Sequence, residues 1–502
     1  MNPELFEHYA CDLDRRGPEP DGAHSGAAGG SVCGDLVRIS VRVRTGLVET
    51  ATFDASGCAA LRACAAAACE AVEGSTALDA AVVGADPIAE VVGGLTSQGR
   101  HAAELVGDAL ARALGSLASS AEAVAPAPRD GDRVLVAISG GVDSAVAMLL
   151  ERERGAEVVA VTLKLWQDER TDGTQACCSP EAVRGARALA QSLGVPHLTL
   201  DLEQAFRKAV VGAFVDGYAA GETPNPCVIC NGDLRIDAMV ALADRLGAAQ
   251  LATGHYARLA DDGEGPLLAA ASDEAKDQTY MLSGLRPTTL ARMRFPLSEL
   301  RKPEVREIAA RAGLAVAGKR ESQDLCFLAG EGKRSFLERH GGIPDRLGEI
   351  VTAEGAVLGE HAGHHHFTVG QRRGLGVANG SPLYVLRTDA ATNRVVVGHH
   401  DDLATTTVRL RGARLLRDSA RADRVKLRYH SRSIPCRVSA AGPGEHAALD
   451  LELAEPAYGV APGQTACLLD GDLVVGRGTI AEAYGTKITN WGSSVPTEVS
   501  AW

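Results

Sequence analysis

Between residues 35 and 55, "DLVRISVRVRTGLVETATFDA", apolar and polar positions alternate with the period of two expected of paired, half-buried strands. The alanine-rich run from Ala59 to Glu73 then predicts a helix. From residue 133 the rhythm changes. "RVLVAI" predicts a buried strand, "DSAVAMLLERER" a helix, "EVVAVTLKLW" a strand and "PEAVRGARALAQSLG" a helix. "HLTLDL", "EQAFRKAVVGAFVDGYAAG", "LRIDAMVALADRLG" and "AQLATG" continue the alternation, which predicts a doubly wound parallel sheet. Beyond residue 348 short apolar runs separated by Gly, Asp and Asn predict small β domains, one of them barrel-like. The expected class is therefore multidomain: an α+β N-terminal domain, a central α/β sheet domain, and C-terminal β domains including a β-barrel. Boundaries follow the pattern: 1–115, a linker at 116–131 rich in Ala, Pro and Ser, 132–330, 331–400, 401–486, and a tail at 487–502 without period.

Composition changes this picture little, but it excludes some classes. The chain has 502 residues, 45% hydrophobic and 23% charged, and no apolar run long enough for a membrane span is expected. The start, "MNPELFEHYACDLDRR", lacks a basic segment followed by an apolar one, so no secretory signal is expected. Twelve cysteines are too few for a disulfide scaffold and fall in clusters, which points to a reducing, cytoplasmic setting. The net charge of −13 argues against a generic nucleic-acid coat. Residues 1–128 hold 17 acidic and 8 basic residues, so the rest of the chain is close to neutral and has room for local basic faces.

The candidate chemistry begins at "VAISGGVDSAVAML", which follows the first strand of the parallel sheet and opens a helix. Paired glycines let backbone N–H groups close around an anion, while Ser139, Ser144 and the helix dipole add to the cradle. The lysine of the common NTPase loop is absent. "TPNPCVICNGD" at 223–233, expected as a loop, holds a C-x-x-C compatible with half a zinc site, a redox switch, a cluster ligand set or a nucleophile with a neighbour. No second C-x-x-C follows at zinc-finger spacing. Cys326 in "ESQDLCFL" could be a reactive thiol or a buried small hydrophobe. Cys177 and Cys178 are expected to tune a loop, and Cys436 and Cys467 to pack in strands.

The Ser-Gly-Gly-Val-Asp-Ser loop resembles that of the ATP-pyrophosphatase superfamily, whose members activate an oxygen by adenylation before a nucleophile displaces AMP. Amidation, argininosuccinate formation, lysidine formation and thiolation all remain open on that motif alone. "TPNPCVICN", "TGHYAR", "KDQTYML", "ESQDLCFL" and "HHFTVGQRRGLGV" then resemble, in order and spacing, the tRNA-specific 2-thiouridylases from about residue 132 to 486. That resemblance implies an ATP- and Mg²⁺-dependent sulfurtransferase acting on the wobble uridine in a tRNA anticodon loop. It implies ATP contacts at Ala137, Ile138, Ser139, Gly140, Gly141, Val142, Asp143, Ser144, Leu163 and Gly254. Cys326 would carry a persulfide, and Cys230 would be the second catalytic thiol. Asn225, Pro226 and Cys227 would meet the base, and Lys276, Asp277, Gln278, Arg428 and Tyr429 the tRNA. Arg428 and Tyr429 could alternatively cap a strand. Some members carry aspartate where this chain has Cys227, so Cys227, Cys230 and Cys326 could instead hold a 4Fe–4S cluster used for thiolation, or zinc.

Residues 4 to about 115 resemble the IscU, SufU and NifU cluster-assembly scaffolds through "HYACDLDRRG", "SVCGDLVRISVRV", "ETATFDASGCAALRACAAA" and "RHAAELVGDALARAL". The resemblance implies a zinc or Fe–S site at Cys33, Asp35, Cys58 and His101, fed by a cysteine desulfurase or another sulfur donor. Ala102 stands where the family has its third cysteine, and Cys64 is either a substitute or a helix-packing residue. A chain that is chiefly a cluster scaffold is the rival reading, opposed by the intact phosphate loop.

Overall fold

The computed structural model describes residues 2–12, 14–29, 34–120, 130–166, 168, 180–319, 325–328, 331–377 and 380–485. Cys33, Cys177, Cys178, residues 321–324 and the tail at 487–502 lie outside them. The chain divides into two compact units, residues 1–209 with 230–331, and 210–229 with 332–502.

The first unit opens with α1 (Pro3–Ala10), capped by Asn2, whose side chain accepts from the N–H groups of Glu4 and Leu5. Strands β1 (His24–Gly29), β2 (Leu36–Arg44) and β3 (Leu47–Ser56) form an antiparallel meander. Along β2 and β3, Val37, Ile39, Val41, Val48, Ala51, Phe53 and Ala55 are buried, as the alternation predicts. Helices α2 (Ala59–Val72) and α5 (Ser97–Ser119) lie on this sheet, and α3 (Ala77–Ala80) and α4 (Ala85–Val91) pack against those helices. Helix α5 runs on to Ser119, so the first residues of the expected linker at 116–131 are helical. Its alanine- and leucine-rich sequence carries no proline before Pro126.

The parallel sheet comprises β4 (Asp130–Ala137), β5 (Glu157–Lys164), β6 (His197–Asp201), β7 (Ala248–Thr253) and the short β10 (Met293–Arg294), in the order β10-β7-β4-β5-β6. Right-handed crossovers are the rule for such connections; here they run through α6 (Val142–Glu153), α7 (Pro180–Ser192), and the stretch that includes α8 (Glu203–Phe206), α9 (Gly212–Ala219), α10 (Pro226–Cys230) and α11 (Ile236–Arg245). The core beneath α6 and α7 is built from Val134, Val136, Ile138, Met148, Val158, Ala160, Ala186, Ala190 and Val195. A hairpin, β8 (Arg258–Asp261) with β9 (Pro266–Ala269), and the helices α12 (Thr279–Leu282), α13 (Pro287–Leu290) and α14 (Lys302–Arg311) complete the unit. Ala137 is in register with both Val161 and Thr253. The segments that leave β4 and β7 therefore emerge side by side at the carboxyl edge, where open α/β sheets bind ligands.

In the second unit, α15 (Lys333–Gly341) packs on α9, with the Phe214 and Phe336 rings edge to face at 6.0 Å. Four strands, β11 (Gly348–Thr352), β12 (Val357–His361), β13 (Tyr384–Asp389) and β14 (Arg394–Gly398), form one sheet in the order β12-β11-β14-β13. Its core holds Ile350, Phe367, Leu375, Leu383, Val385, Val395 and Val397. The remaining six are β15 (Ala404–Leu415), β16 (Arg424–Lys426), β17 (Ile434–Val438), β18 (Gly444–Tyr458), β19 (Thr465–Asp470) and β20 (Leu473–Tyr484). They run β15-β18-β17-β16-β19-β20, and pairing of β15 with β20 closes the barrel the sequence predicts. Cys436 and Cys467 are buried in its strands.

Candidate active site

The segment after β4 forms the anion cradle the motif suggests. Gly140 takes φ +69°, a conformation a side chain disfavours, and Gly141 caps α6. The Ser144 hydroxyl accepts from the Ser139 N–H at 3.1 Å and donates to the Gly141 carbonyl at 3.1 Å, which shapes the loop ahead of the helix N-terminus. Gly254, just beyond β7, abuts this turn so closely that a Cβ would lie 2.6 Å from the Ser144 nitrogen and 2.8 Å from the Asp143 carbonyl carbon. Glycine is thus required there by backbone approach. Leu163 sits half-buried near the end of the neighbouring strand β5.

Asp143 carries the site's electrostatics. Both its oxygens lie 2.7 Å from the Lys302 ammonium, and the Tyr256 hydroxyl donates to it at 2.9 Å. Lys302 is 8% exposed and also lies 5.9 Å from the centre of the Tyr256 ring. A second lysine, Lys319, donates to the Gly140 carbonyl at 2.9 Å. Two ammonium groups therefore border a cradle of backbone donors, a combination suited to polyphosphate. Neither lysine stands out in the sequence. Lys302 precedes a proline at a helix start and reads as a solvated charge, yet α14 carries it into the cleft.

The thiol Cys230 ends α10 and is 7% exposed. Pro226 occupies the first position of that helix, and the Asn225 side chain accepts from the Val228 N–H at 3.3 Å. Asn-Pro is thus a helix start, and the expected loop at 223–233 is largely helical. Asn231–Arg235 continues with π geometry, a distortion frequent at functional sites. From here hydrogen bonds run to the end of β7, whose next residue, Gly254, abuts the phosphate loop. Arg235 bonds Asn231, and its Nη2 reaches His255 Nε2 at 2.7 Å. His255 Nδ1 lies 2.9 Å from the Thr253 hydroxyl. A guanidinium can only donate, so Nε2 accepts and Nδ1 carries the proton toward Thr253. Burial, reinforced by Arg235, pushes the His255 pKa down to about 3, so the ring is neutral. Thr253 precedes Gly254, and the chain ties the Cys230 helix to the cradle. His255 lies within the quoted TGHYAR motif, whereas Arg235 had no motif signal of its own.

Cys326 is half-buried in a turn beside Phe327, which is buried edge to face on Phe206 at 5.9 Å. The aromatic neighbour, not the thiol, fills the core. Cys227 is also half-buried. Among the described residues, no group of three or more His, Cys, Asp or Glu ligand atoms within 4.8 Å of one another includes a cysteine.

Two of the expected tRNA-binding residues have work within the fold. Asp277 accepts from the Thr279 hydroxyl at 2.7 Å, and the Gln278 side chain accepts from the Tyr256 N–H at 3.0 Å. Lys276 is half-buried beside them. In the second unit, Arg428 is exposed and Tyr429 half-buried in a turn beyond β16, with Arg428 Nη2 3.5 Å from the Tyr458 carbonyl.

In the N-terminal domain, Cys58 donates through Sγ to Asp35 Oδ2 at 3.3 Å and through its N–H to Oδ1 at 3.0 Å. Gly57 makes this approach possible, since a Cβ there would lie 2.1 Å from Asp35 Oδ1. His101 is exposed on α5, 3.9 Å from Glu104, and is not gathered with Asp35 and Cys58 in a three-ligand group. Ala102, at the third cysteine's position, is 2% exposed. Cys64 is fully buried, with its pKa raised to about 12 chiefly by desolvation. Its burial among the helix residues suits a packing role.

Family profiles match consecutive stretches of the chain: a NifU-like N-terminal domain at 3–122, a tRNA methyl transferase HUP domain at 132–330, its PRC-barrel domain at 334–399, and an aminomethyltransferase β-barrel domain at 405–480. A bifunctional NifU/MnmA protein of Rubrobacter xylanophilus is 43% identical over 95% of this chain and 98% of its own length. The chain belongs to the bifunctional NifU/MnmA family. The tRNA-specific 2-thiouridylase MnmA of Acidithiobacillus ferrooxidans is 43% identical over 69% of this chain and 98% of its own. MnmA of Deinococcus radiodurans is 40% identical over 70% of this chain and 93% of its own. NifU/MnmA membership accounts for the joining of a scaffold-like domain to a phosphate-loop sheet. Among the described residues, no helix is long and apolar enough to cross a membrane.

Proposed function

We propose that this NifU/MnmA chain is an ATP-dependent tRNA sulfurtransferase that replaces the C2 oxygen of the wobble uridine with sulfur, with its N-terminal domain delivering sulfur or a nascent cluster. The observation that carries the reading is the phosphate cradle coupled through Thr253, His255 and Arg235 to the helix that ends in Cys230. Uracil O2 is a poor leaving group. Its attack on the α-phosphorus of ATP forms an adenylate and releases pyrophosphate, whose charge the Ser139–Ser144 loop, Lys302 and Lys319 offset. Mg²⁺ enters with ATP as part of the substrate, and Asp143 offers it a carboxylate.

Sulfur then arrives as a persulfide on Cys326, supplied by a cysteine desulfurase or another donor. Its terminal sulfur attacks C2, and AMP leaves with the uridine oxygen. The thiolate of Cys230 attacks Sγ of Cys326, which breaks the S–S bond to the transferred sulfur and leaves 2-thiouridine. A Cys230–Cys326 disulfide forms, and an external thiol reductant restores it for the next turnover. The outer sulfur is thereby reduced by two electrons as the two cysteines are oxidised by two.

Half-exposed Cys326 suits persulfide loading, while buried Cys230 is sheltered from other oxidants. Asn225, Pro226 and Cys227 on the same short helix are the candidate base contacts. Lys276 and the Arg428–Tyr429 turn are the candidate tRNA contacts, and an anticodon base is cheap to unstack. In the N-terminal domain, Asp35 and Cys58, with Cys33 and His101, would hold zinc or a nascent cluster. Anaerobic incubation with ATP, polysulfide or a cysteine desulfurase with cysteine, and unmodified tRNA tests the reading by the appearance of 2-thiouridine with AMP. Absence of product from fully folded protein under both sulfur sources would overturn it.

A further inference from the structure

Helix α5 has two buried faces. On one, a Cβ on Gly26 of β1 would lie 2.3 Å from the Ala109 carbonyl and 2.4 Å from the Ala113 nitrogen. On the other, a Cβ on Gly115 would lie 2.3 Å from the Thr199 carbonyl of β6. At about 100° per residue, positions 113 and 115 stand about 200° apart round the helix. Backbone therefore meets backbone on both sides, and α5 is a layer shared by the N-terminal meander and the edge of the parallel sheet.

The side facing the parallel sheet is built for this contact. Asp108 lies seven residues before Gly115, on the same stripe. Its carboxylate accepts from Arg187 of α7 at 2.9 Å, with both side chains almost fully buried, and Arg112 holds its second oxygen. The edge strand is also closed by the N-terminal domain. The His197 N–H at the start of β6 donates to the Ala81 carbonyl at 3.4 Å. Gln191 Nε2 lies 3.5 Å from the carbonyls of Ala81 and Val83, and a Cβ on Gly84 would meet Gln191 Oε1 at 2.2 Å. An exposed sheet edge is a liability, and here it is covered by matched polar groups and a buried ion pair.

We propose that the β6–α7 edge of the sheet domain is the permanent seat of the N-terminal domain. The two are held together by the Asp108–Arg187 pair and the Gly115–Thr199 contact, independently of the covalent connection through residues 121–129. The scaffold-like domain then works as a docked part of the enzyme, and a free scaffold is not needed to present its site.

The test cuts the connection in the folded, full-length protein. A protease site is placed within 121–129, the purified chain is cleaved, and the products are run on a sizing column at micromolar concentration. The expected result is one species containing both fragments. After the same cleavage, Gly115→Leu, Asp108→Arg and Arg187→Asp should each separate the fragments, weakening association roughly 100-fold or more. The exchanged pair, Asp108→Arg with Arg187→Asp, should restore co-elution, which a merely misfolded variant would not do. Separation of the cleaved parent chain, or co-elution of all three single variants, would overturn the proposal. The readout is association alone, so its outcome is independent of the thiolation chemistry.

Discussion

Replacing Gly254 by alanine should disable nucleotide chemistry while leaving the sheet intact. The added methyl carbon would sit 2.6 Å from the Ser144 nitrogen and 2.8 Å from the Asp143 carbonyl carbon, both backbone atoms. Ordinary carbon contacts begin near about 3.5 Å, so the loop or the end of β7 must yield by roughly 0.7–0.9 Å. Neither can move freely, because Ala137 is paired in register with Thr253 and the Thr253 hydroxyl is bonded to His255. Overpacking of this kind costs about 1–3 kcal/mol in stability. Displacement of the cradle by close to an ångström should lower the rate of ATP consumption on the order of 100-fold. Gly185→Ala is the control. Its Cβ would meet nothing within 4 Å on α7, so it should stabilise slightly and leave ATP turnover unchanged. The assay is tRNA-dependent AMP formation alongside thermal unfolding. Wild-type AMP formation by a folded Gly254→Ala protein would refute the close-approach argument.

Further predictions concern charges and thiols. Lys302→Met should cut tRNA-dependent AMP formation by about 10-fold or more, since Asp143 loses its cation and the cradle loses positive charge; an unchanged rate would remove Lys302 from the site. His197 is 1% exposed, and burial, aided by Arg187, pushes its pKa from 6.5 to about 3. The unfolded chain thus binds a proton the native chain refuses, so stability is full above pH 6.5 and falls as pH drops toward 3, by about 1.4 kcal/mol per pH unit. Denaturant midpoints measured at pH 7.5 and 5.5 should shift less in His197→Gln, and an equal shift would contradict this. Cys230→Ser should abolish 2-thiouridine formation while retaining ATP binding, whereas Cys436→Ser, buried in the barrel, should leave thiolation intact.

Much of the fold was legible because periodicity reports burial directly. The alternation of β2 and β3, the β-α rhythm of the sheet and the short apolar runs of the barrel all reappear as elements. The 223–233 segment reads as a loop because its prolines and asparagines are also turn residues, although Asn225 and Pro226 serve as a helix cap and first position. The phosphate cradle was legible since its glycines are local to one turn. Lys302, Lys319 and Arg235 were not, because tertiary folding brings them to it from segments whose local patterns are ordinary; His255 lies in the TGHYAR motif, but its tie to Arg235 is tertiary.

The central claim is that ATP-driven thiolation of tRNA proceeds through a sulfur carried on Cys326. Anaerobic protein incubated with ATP, a sulfur donor and unmodified tRNA, followed by nucleoside analysis, tests it most directly. The wild-type chain should form 2-thiouridine only with ATP, releasing one AMP per product, and Cys326→Ser should form none. ATP-independent product, or normal thiolation by Cys326→Ser, would contradict the account.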